Sequence, residues 1–311
     1  MATILITGGA GFIGANLALR LAAEKKNKIF ILDSFLIKDN IERLKNHENI
    51  SVHQGDLKDR AFLQDILEEK DFVIHLAAHT YVLESVTNPS FNFEENAVTT
   101  FYLLEACAKK GVKHFVFAST GAVLGGQIPP IHEKMLQTPI SPYGASKLVG
   151  ESYCRVFSEI SDMSCTALRF SNVYGPYSWH KTSVVAKFIK KILNGEEIEI
   201  YGDGSQTRDY LYVENLCELF IEIFESDYKF NVFQVASGVE TPLNDLIDLL
   251  ETKLGKNVKR KYLGFNKGEV KFNYADISKV KDLLSYQPKI QFEDGIEKTI
   301  DWFLSRHGNN S

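Results

Sequence analysis

TILITGGAGFIG, residues 3–14, decides the predicted fold: a short apolar run, a glycine-rich turn and the start of a stretch with helical periodicity. Glycines leave room for a pyrophosphate in such a turn, and backbone N–H groups with the helix dipole can hold its negative charge. We therefore predict a dinucleotide-binding strand, turn and helix. The predicted cofactor-binding residues of this turn are Gly8, Gly11, Phe12, Ile13 and Gly14. A tight turn before an ordinary helix is the alternative, and it needs no ligand.

An acidic residue ends the next predicted strand. Asp33 closes IFILD, residues 29–33, and lies 19 positions after Gly14. A carboxylate there can accept hydrogen bonds from both hydroxyls of the adenosine ribose and would repel a 2'-phosphate, so NAD is predicted rather than NADP. After the third strand, Asp56 and Leu57 are placed near the adenine. For Asp56, an ordinary helix N-cap is the alternative.

Strand and helix patterns alternate from residue 2 to about residue 170. The predicted strands are ILIT, IFILD, SVHQGD, DFVIHLAA, KHFVFAST and TALRFSN, with helices at 11–24, 58–69, 89–110 and 142–160. This order is typical of an α/β fold, a Rossmann-type doubly wound parallel sheet. Beyond Asn172 the pattern changes to further helices near 184–193, 213–224, 242–254 and 292–305. We predict an NAD-binding domain at 1–171 and a smaller C-terminal α/β substrate lobe at 172–311, interleaved at their boundary.

The composition favours a globular protein that works on small molecules. The 311 residues are 44% hydrophobic and 24% charged, and the formal net charge is −5. Basic residues are scattered, so neither nucleic acid nor a membrane surface is predicted as a partner. No apolar run approaches the roughly 20 residues of a membrane span, and a cytoplasmic protein is expected. The four cysteines lack metal-ligand spacing; we interpret them as reduced core residues and predict no metal site.

A pair of residues with catalytic potential begins the helix predicted at 142–160. Tyr143 and Lys147 are four positions apart, which places both side chains on one face, next to the predicted cofactor. Positive charge from Lys147 and from oxidised nicotinamide would lower the pKa of the phenol and make Tyr143 a base near neutral pH. Thr120, which ends a predicted strand, can hydrogen-bond the same substrate hydroxyl, and Ser119 is its local competitor. We predict Tyr143, Lys147 and Thr120 as catalytic residues.

These motifs resemble the extended short-chain dehydrogenase/reductases that modify nucleotide sugars, particularly the UDP-glucose and UDP-N-acetylglucosamine 4-epimerases. The similarity spans nearly the whole chain. Its further pieces are HLAA at 75–78, Asn96, RFSNVYGP at 169–176, YGDGSQTRDYLYVEN at 201–215 and YADISK at 274–279. The resemblance adds to the predicted cofactor site the residues Leu76, Ala77, Ala78, Asn96 and Ser119.

The resemblance also implies a reaction and a substrate. In this family Tyr143 would take the proton of the sugar 4-hydroxyl while C4 gives its hydride to NAD, and the 4-keto sugar would turn over and be reduced from its other face. Asn172 would face the nucleotide sugar and Arg208 would pair with its diphosphate, because a guanidinium fork binds phosphate oxygens in pairs. For Arg208, a surface ion pair with Asp203 or Asp209 is the alternative.

Departures from the family pattern bear on the exact reaction. Related 4,6-dehydratases carry an Asp-Glu pair after the catalytic Thr, whereas this chain has Gly121-Ala122, which disfavours dehydration. The family's late diphosphate clamp reads Asn-Lys-Gly-Glu here, so Lys267 is the predicted substitute. Asn273 stands where glucose-only epimerases tend to carry Tyr, which would leave room for an N-acetyl group.

A UDP-hexose 4-epimerase is therefore predicted, with an N-acetylated hexose as one candidate substrate. A C4 dehydrogenase or an atypical dehydratase with the same Tyr-Lys-NAD core is the first alternative. A non-catalytic NAD(H)-sensing scaffold is the second. His180 is an additional acid or base in one interpretation and a solvent-facing loop residue in the other.

Two helices carry apolar residues on more than one face, near residues 93–110 and 144–160. In the family the corresponding pair forms a four-helix contact between subunits, so a homodimer is expected. Burial of both faces within the monomer is the alternative.

Overall fold

The computed structural model describes residues 1–35, 37–264 and 270–307. Its strands are β1 (Thr3–Thr7), β2 (Lys28–Asp33), β3 (Ile50–Gln54), β4 (Phe72–His75), β5 (His114–Thr120), β6 (Ser164–Phe170), β7 (Asn172–Tyr174), β8 (Ile198–Tyr201), β9 (Thr207–Arg208), β10 (Tyr210–Tyr212), β11 (Phe230–Val235), β12 (Thr241–Pro242) and β13 (Arg260–Leu263). Its α-helices are α1 (Phe12–Ala22), α2 (Lys38–Leu44), α3 (Arg60–Ile66), α4 (Val82–Thr87), α5 (Pro89–Phe93), α6 (Thr99–Lys110), α7 (Pro142–Ile160), α8 (Val184–Leu193), α9 (Val213–Phe224), α10 (Leu243–Leu254), α11 (Ser278–Leu284) and α12 (Phe292–His307).

A seven-stranded parallel sheet forms the centre of the molecule. Its spatial order is β11-β6-β5-β4-β1-β2-β3. The interior strand β1 is apolar over most of its length, and Ile4, Leu5 and Ile6 are fully buried, as expected for a strand covered by helices on both faces. The chain runs outward from β1 through β2 and β3, then returns to β4 and runs the other way. The predicted doubly wound Rossmann-type sheet is therefore confirmed, and its reversal point lies between β1 and β4.

The chain beyond residue 172 contributes to the same sheet. Strand β11 pairs with β6 over six residues, and α9 packs against α1. Phe233 and Val235 of β11 are buried in the core that α1 and α9 share. The sequence prediction does not include this strand, which belongs to the part of the chain assigned to the substrate lobe. The remaining pairs, β7 with β10, β9 with β12 and β8 with β13, belong to that lobe.

The helix predicted at 89–110 is divided. Its two α-helical parts, α5 and α6, are joined by a π-helical turn at Glu94–Val98. Helix α7 has the bounds that the sequence predicts, with Pro142 in its first turn and the Ser141 hydroxyl accepting the Gly144 N–H at 3.1 Å. These local signals fix where α7 begins and so place Tyr143 at its start.

All four cysteines lie within the described ranges and are buried and free. Across residues 1–35, 37–264 and 270–307, no helix is both long and apolar enough to cross a membrane. In the same ranges no group of three His, Cys, Asp or Glu side chains is placed to hold a metal ion.

Candidate active site

The glycine turn has no room for larger side chains at the point where a ligand would lie. Gly8 has a φ of +68°, and its N–H donates to the Leu32 carbonyl at 2.8 Å. A Cβ on Gly14 would lie 2.4 Å from the Gly8 oxygen, so no larger residue fits. Helix α1 starts at Phe12, directly after this turn. The turn therefore fits the predicted pyrophosphate, which would lie against the positive end of a helix.

One cavity of about 530 Å³ extends from this turn across the carboxyl ends of the strands. Most of the predicted cofactor residues line this cavity. Those that line it are Gly8, Gly11, Phe12, Ile13, Gly14, Asp33, Asp56, Leu57, Leu76, Ala77, Ala78, Ser119, Tyr143 and Lys147. A crevice at the reversal point of the strand order is where ligands bind in doubly wound sheets.

Two acidic residues lie at the end of the cavity predicted to hold the adenosine. The Asp33 carboxylate accepts the N–H groups of Ala10 and Phe35, both at 3.1 Å. Burial raises its pKa and these hydrogen bonds oppose that rise. Asp56 accepts the Lys58 N–H at 2.8 Å, whereas the N-cap of α3 is Asp59. The N-cap alternative for Asp56 is therefore wrong.

Asn96 holds a loop and does not line the cavity. Its side-chain oxygen accepts the His79 N–H at 2.8 Å, and its amide nitrogen donates to the His79 carbonyl at 3.0 Å and to Ser146 at 3.3 Å. Its side chain is buried and engaged by protein groups at both ends. Asn96 stays a predicted cofactor residue, and in the structure it fixes the segment after β4, whose residues 76–80 line the cavity.

The three predicted catalytic residues lie together in this cavity. The Lys147 ammonium donates to the Ala118 carbonyl at 2.8 Å and lies 4.8 Å from the centre of the Phe117 ring. The Thr120 hydroxyl accepts the Ala122 N–H at 3.2 Å and lies close enough to the Tyr143 phenol to lower its pKa. The neighbouring Ser119 donates its hydroxyl to a buried carboxylate, that of Glu151, at 2.5 Å. Ser119 therefore lines the cavity without competing with Thr120 for a substrate hydroxyl.

The protein's own groups do not make Tyr143 a base at neutral pH. Burial raises the pKa of Tyr143 to about 12, and the Thr120 hydroxyl only partly opposes this. Burial lowers the pKa of Lys147 to about 7, against the attraction of Cys154 and Glu151. The sequence expectation of a lowered pKa counts the charges of Lys147 and of bound oxidised nicotinamide, whereas in the protein alone desolvation of the phenolate raises the pKa of Tyr143.

A second cavity of about 330 Å³ adjoins the first, and both are lined by Val173 and Ser183. The predicted substrate residues Asn172 and Arg208 line this second cavity. Arg208 donates to the Thr207 carbonyl at 2.7 Å. The carboxylates named in its ion-pair alternative are engaged by other groups: Asp203 by Ser205, and Asp209 by Ser237, Gly238 and Ala275.

Two residues that the sequence prediction missed also line the second cavity. The side-chain oxygen of Gln206 and the hydroxyl of Tyr210 are buried and have no hydrogen-bond partner among the described residues. Buried polar atoms are nearly always paired, so these two point to a polar ligand. The motif at 201–215 contains both, but only the fold shows that they face a cavity.

The remaining predicted residues lie at the edges of the site or outside the described ranges. Lys267 lies outside the described residues. Asn273 is half-buried and is not among the residues that line either cavity. His180 is exposed, as one interpretation expects, and also lines the first cavity. Part of the imidazole is nevertheless covered by the cavity wall, and this partial burial with the charges of two nearby lysines lowers the pKa of His180 to about 4. Gly121 and Ala122 form the turn after Thr120, where a dehydratase would carry its acidic pair.

Known proteins are similar to this chain over nearly its whole length. A family profile described as "GDP-mannose 4,6 dehydratase" matches residues 5–299. A UDP-glucuronate 4-epimerase of Thermodesulfobacterium geofontis is 35% identical over 97% of this chain and 96% of its own length.

Solved structures agree closely with the fold. A UDP-N-acetylglucosamine 4-epimerase of Methanobrevibacter ruminantium, in complex with UDP-N-acetylmuramic acid, superimposes with a TM-score of 0.92 at 36% identity, covering 98% of this chain and 99% of the other. A UDP-glucuronic acid 4-epimerase of Bacillus cereus, in complex with UDP-glucuronic acid and NAD, gives 0.91 at 30% identity with the same coverage. This chain therefore belongs to the extended short-chain dehydrogenase/reductases, in the family of NAD-dependent nucleotide-sugar epimerases and dehydratases.

Proposed function

We propose that the protein is an NAD-dependent nucleotide-sugar 4-epimerase that acts on a UDP-hexose through a 4-keto intermediate. The observation that carries the proposal is the placement of Tyr143, Thr120 and Lys147 in one cavity with the glycine turn and Asp33. Catalytic hydroxyl groups and a dinucleotide site thus meet at the reversal point of the sheet. The adjoining cavity with Arg208 offers space for a nucleotide diphosphate.

The residues of the first cavity have separate roles in moving the proton of the sugar 4-hydroxyl. Tyr143 is positioned to accept the proton of the sugar 4-hydroxyl and to return it, and Thr120 lines the same cavity next to the phenol. Bound NAD would supply the hydride acceptor for C4 and one positive charge near the phenol. That charge is needed because burial holds the pKa of Tyr143 at about 12. The Lys147 ammonium is fixed by the Ala118 carbonyl and adds a second positive charge at this end of the cavity.

The second cavity supports recognition of the nucleotide part of the substrate. Arg208 provides a cation for the diphosphate, and Asn172 lines the same wall. The buried hydroxyl of Tyr210 and side-chain oxygen of Gln206 supply a donor and an acceptor that lack partners among the described residues. Lys267 and Asn273 stay as proposed substrate residues, the first for the diphosphate and the second for room at the sugar C2 substituent.

Dehydration of the sugar is the less supported reaction. It needs an acid for the leaving hydroxyl and a base for the C5 proton, and the turn after Thr120 carries Gly121 and Ala122 instead. A C4 dehydrogenase would use the same residues as an epimerase and would differ in its product. A non-catalytic scaffold would not require Tyr143 at all, so substitution of this residue separates it from the enzyme.

A cytoplasmic homodimer is proposed as the working form. Helices α6 and α7 pack against each other and leave apolar side chains at the surface. Among them Tyr153 is 38% exposed, Val156 46% and Ile160 70%. A contiguous apolar surface of this kind favours contact with a second copy of the same helix pair. The four free, buried cysteines are compatible with a reducing compartment.

The proposal is tested by product analysis. Purified protein is incubated separately with UDP-glucose, UDP-N-acetylglucosamine, UDP-glucuronic acid and GDP-hexoses, and the sugars are followed by NMR while NADH is followed by absorbance. A 4-epimer without net NADH is expected for at least one UDP-sugar, and none is expected with Tyr143→Phe. Accumulated NADH with a keto sugar would assign a dehydrogenase, and loss of water a dehydratase.

A further inference from the structure

A buried ion pair lies next to the catalytic residues and has no part in the chemistry above. Arg169 of β6 donates to Glu151 of α7 through two bonds, Nε to Oε1 at 2.8 Å and Nη2 to Oε2 at 2.7 Å. The exposed fractions of the two side chains are 1% and 6%. The Ser119 hydroxyl of β5 donates to the same Oε1 at 2.5 Å. One carboxylate therefore ties together α7, β5 and β6.

The groups held by this carboxylate are direct neighbours of the catalytic residues. Ser119 stands between Thr120 and Ala118, whose carbonyl accepts the Lys147 ammonium at 2.8 Å. Glu151 lies one helical turn after Lys147 and two turns after Tyr143, so all three share a face of α7. A displacement of Glu151 would move the end of β5 relative to this helix face.

On the basis of the proposed function, we propose that Glu151, held by Arg169, is a positioning residue for the catalytic residues Thr120 and Lys147. It fixes the strand end that carries Thr120 and the Lys147 acceptor, and it supplies the negative charge that keeps the Lys147 ammonium charged. Arg169 in turn stabilises the charged carboxylate of Glu151, because an unpaired carboxylate at this depth would take up a proton.

The charges around Lys147 single out Glu151. Glu151 and Cys154 both raise the pKa of Lys147 against the larger effect of burial. Burial holds the pKa of the Cys154 thiol well above its usual range, so that thiol is neutral. His75, on β4, is neutral too, because burial lowers its pKa to about 3. The phenol of Tyr143 is protonated, and Arg169 is itself cationic. Of the two groups that raise the pKa of Lys147, Glu151 is thus the carboxylate that a buried guanidinium holds through two hydrogen bonds.

A purely structural role predicts a different outcome from a positioning role. A structural pair would, on loss of either partner, lower the unfolding temperature and reduce activity equally at every pH. A positioning carboxylate would also move the protonation of Lys147. Removing one charge that lies one helical turn away, at an effective dielectric of about 20, shifts a neighbouring pKa by about one to two pH units.

The experiment uses four variants of the full chain. Glu151→Gln removes the charge and keeps the shape, and Glu151→Asp keeps the charge but is too short to reach both partners. The double variant Glu151→Gln with Arg169→Gln removes both charges, so that no buried cation is left unpaired. Glu159→Gln is the matched control, because it removes a carboxylate of the same helix from an exposed pair with Arg155.

Two measurements are made on each variant. The Lys147 titration is followed by NMR of ¹³Cε-labelled lysine, assigned with Lys147→Arg, and the epimerisation rate is measured against substrate concentration across the same pH range, which gives kcat and KM. The NMR titration needs no turnover, so it judges this inference even if no UDP-sugar is epimerised. Failure of all sugars to react in the wild type would count against the proposed function alone.

Support requires a specific pattern. Glu151→Gln should lower the Lys147 midpoint by at least about one pH unit and lower kcat at least about tenfold on the alkaline side, with KM little changed. In the double variant the Lys147 midpoint should return part of the way to its wild-type value. Glu151→Asp should keep the wild-type Lys147 midpoint and have a lower kcat. Glu159→Gln should match the wild type in both measurements. An unchanged Lys147 midpoint in folded Glu151→Gln, or equal loss of kcat at every pH, would overturn the proposal.

Discussion

The Gly14 position offers a direct test of the cofactor turn. Replacing it by Ala would place a Cβ 2.4 Å from the Gly8 oxygen and 2.5 Å from the Gly9 Cα. Both are backbone atoms of the turn itself, so the clash is relieved only if the turn opens. Overpacking of this kind costs about 1–3 kcal/mol. If the open turn binds the pyrophosphate worse by that amount, the Kd for NAD rises about 5- to 150-fold.

The assay is titration calorimetry of NAD into protein freed of nucleotide, with thermal unfolding of each variant as the test of folding. Gly126→Ala is the matched control, because a Cβ there meets no atom within 4 Å. It should bind NAD like the wild type. A folded Gly14→Ala protein with the NAD affinity of the wild type would refute the placement of the pyrophosphate at this turn.

Other substitutions separate the roles of the cavity and surface residues. Tyr143→Phe removes only the phenolic oxygen and should lower kcat about 10²- to 10⁴-fold. Its Kd for NAD should equal that of the wild type. Arg208→Leu should raise the KM for the UDP-sugar about tenfold or more, since a hydrogen bond to a charged group contributes about 1.5–3 kcal/mol. His180→Gln should leave the pH profile of kcat unchanged above pH 5, because burial and two nearby lysines hold the pKa of His180 at about 4. Val156→Glu should convert a dimer to a monomer in light scattering, because its side chain is 46% exposed on the apolar face of α7.

Opposite results would each remove one assignment. Activity of Tyr143→Phe close to the wild type would exclude the phenol as the proton acceptor. An unchanged KM in Arg208→Leu would move the diphosphate elsewhere. A lost ionisation in His180→Gln would restore the imidazole as an acid or base. If the wild type is a monomer, the apolar face of α7 does not form a dimer contact.

The local parts of the fold are predictable from the sequence. The glycine turn, the acid at Asp33 and the start of α7 depend on neighbouring residues, through φ angles, capping and periodicity, and these appear at the predicted places. The strand β11 is missed because a parallel edge strand is defined by its partner, β6, which lies far earlier in the chain.

Side-chain direction is the less predictable part of the site. The sequence places Asn96 and Ser119 near the cofactor. Asn96 binds the backbone of His79 and does not line the cavity, whereas Ser119 lines the cavity and donates its hydroxyl to Glu151. The sequence indicates the charges that would lower the pKa of Tyr143 but not the opposing burial of the phenol, which raises this pKa in the protein alone and depends on the whole fold. Contacts between distant elements determine all three outcomes.

The central claim is that C4 of the sugar gives up its hydride and receives the same hydride back. It is tested most directly with a UDP-sugar that carries deuterium at C4, chosen from those that turn over, by NMR and mass analysis of the product. The account predicts a 4-epimer that keeps its deuterium at C4, without net NADH. Epimerisation with the C4 deuterium replaced by solvent hydrogen, or a product lacking water, would contradict it.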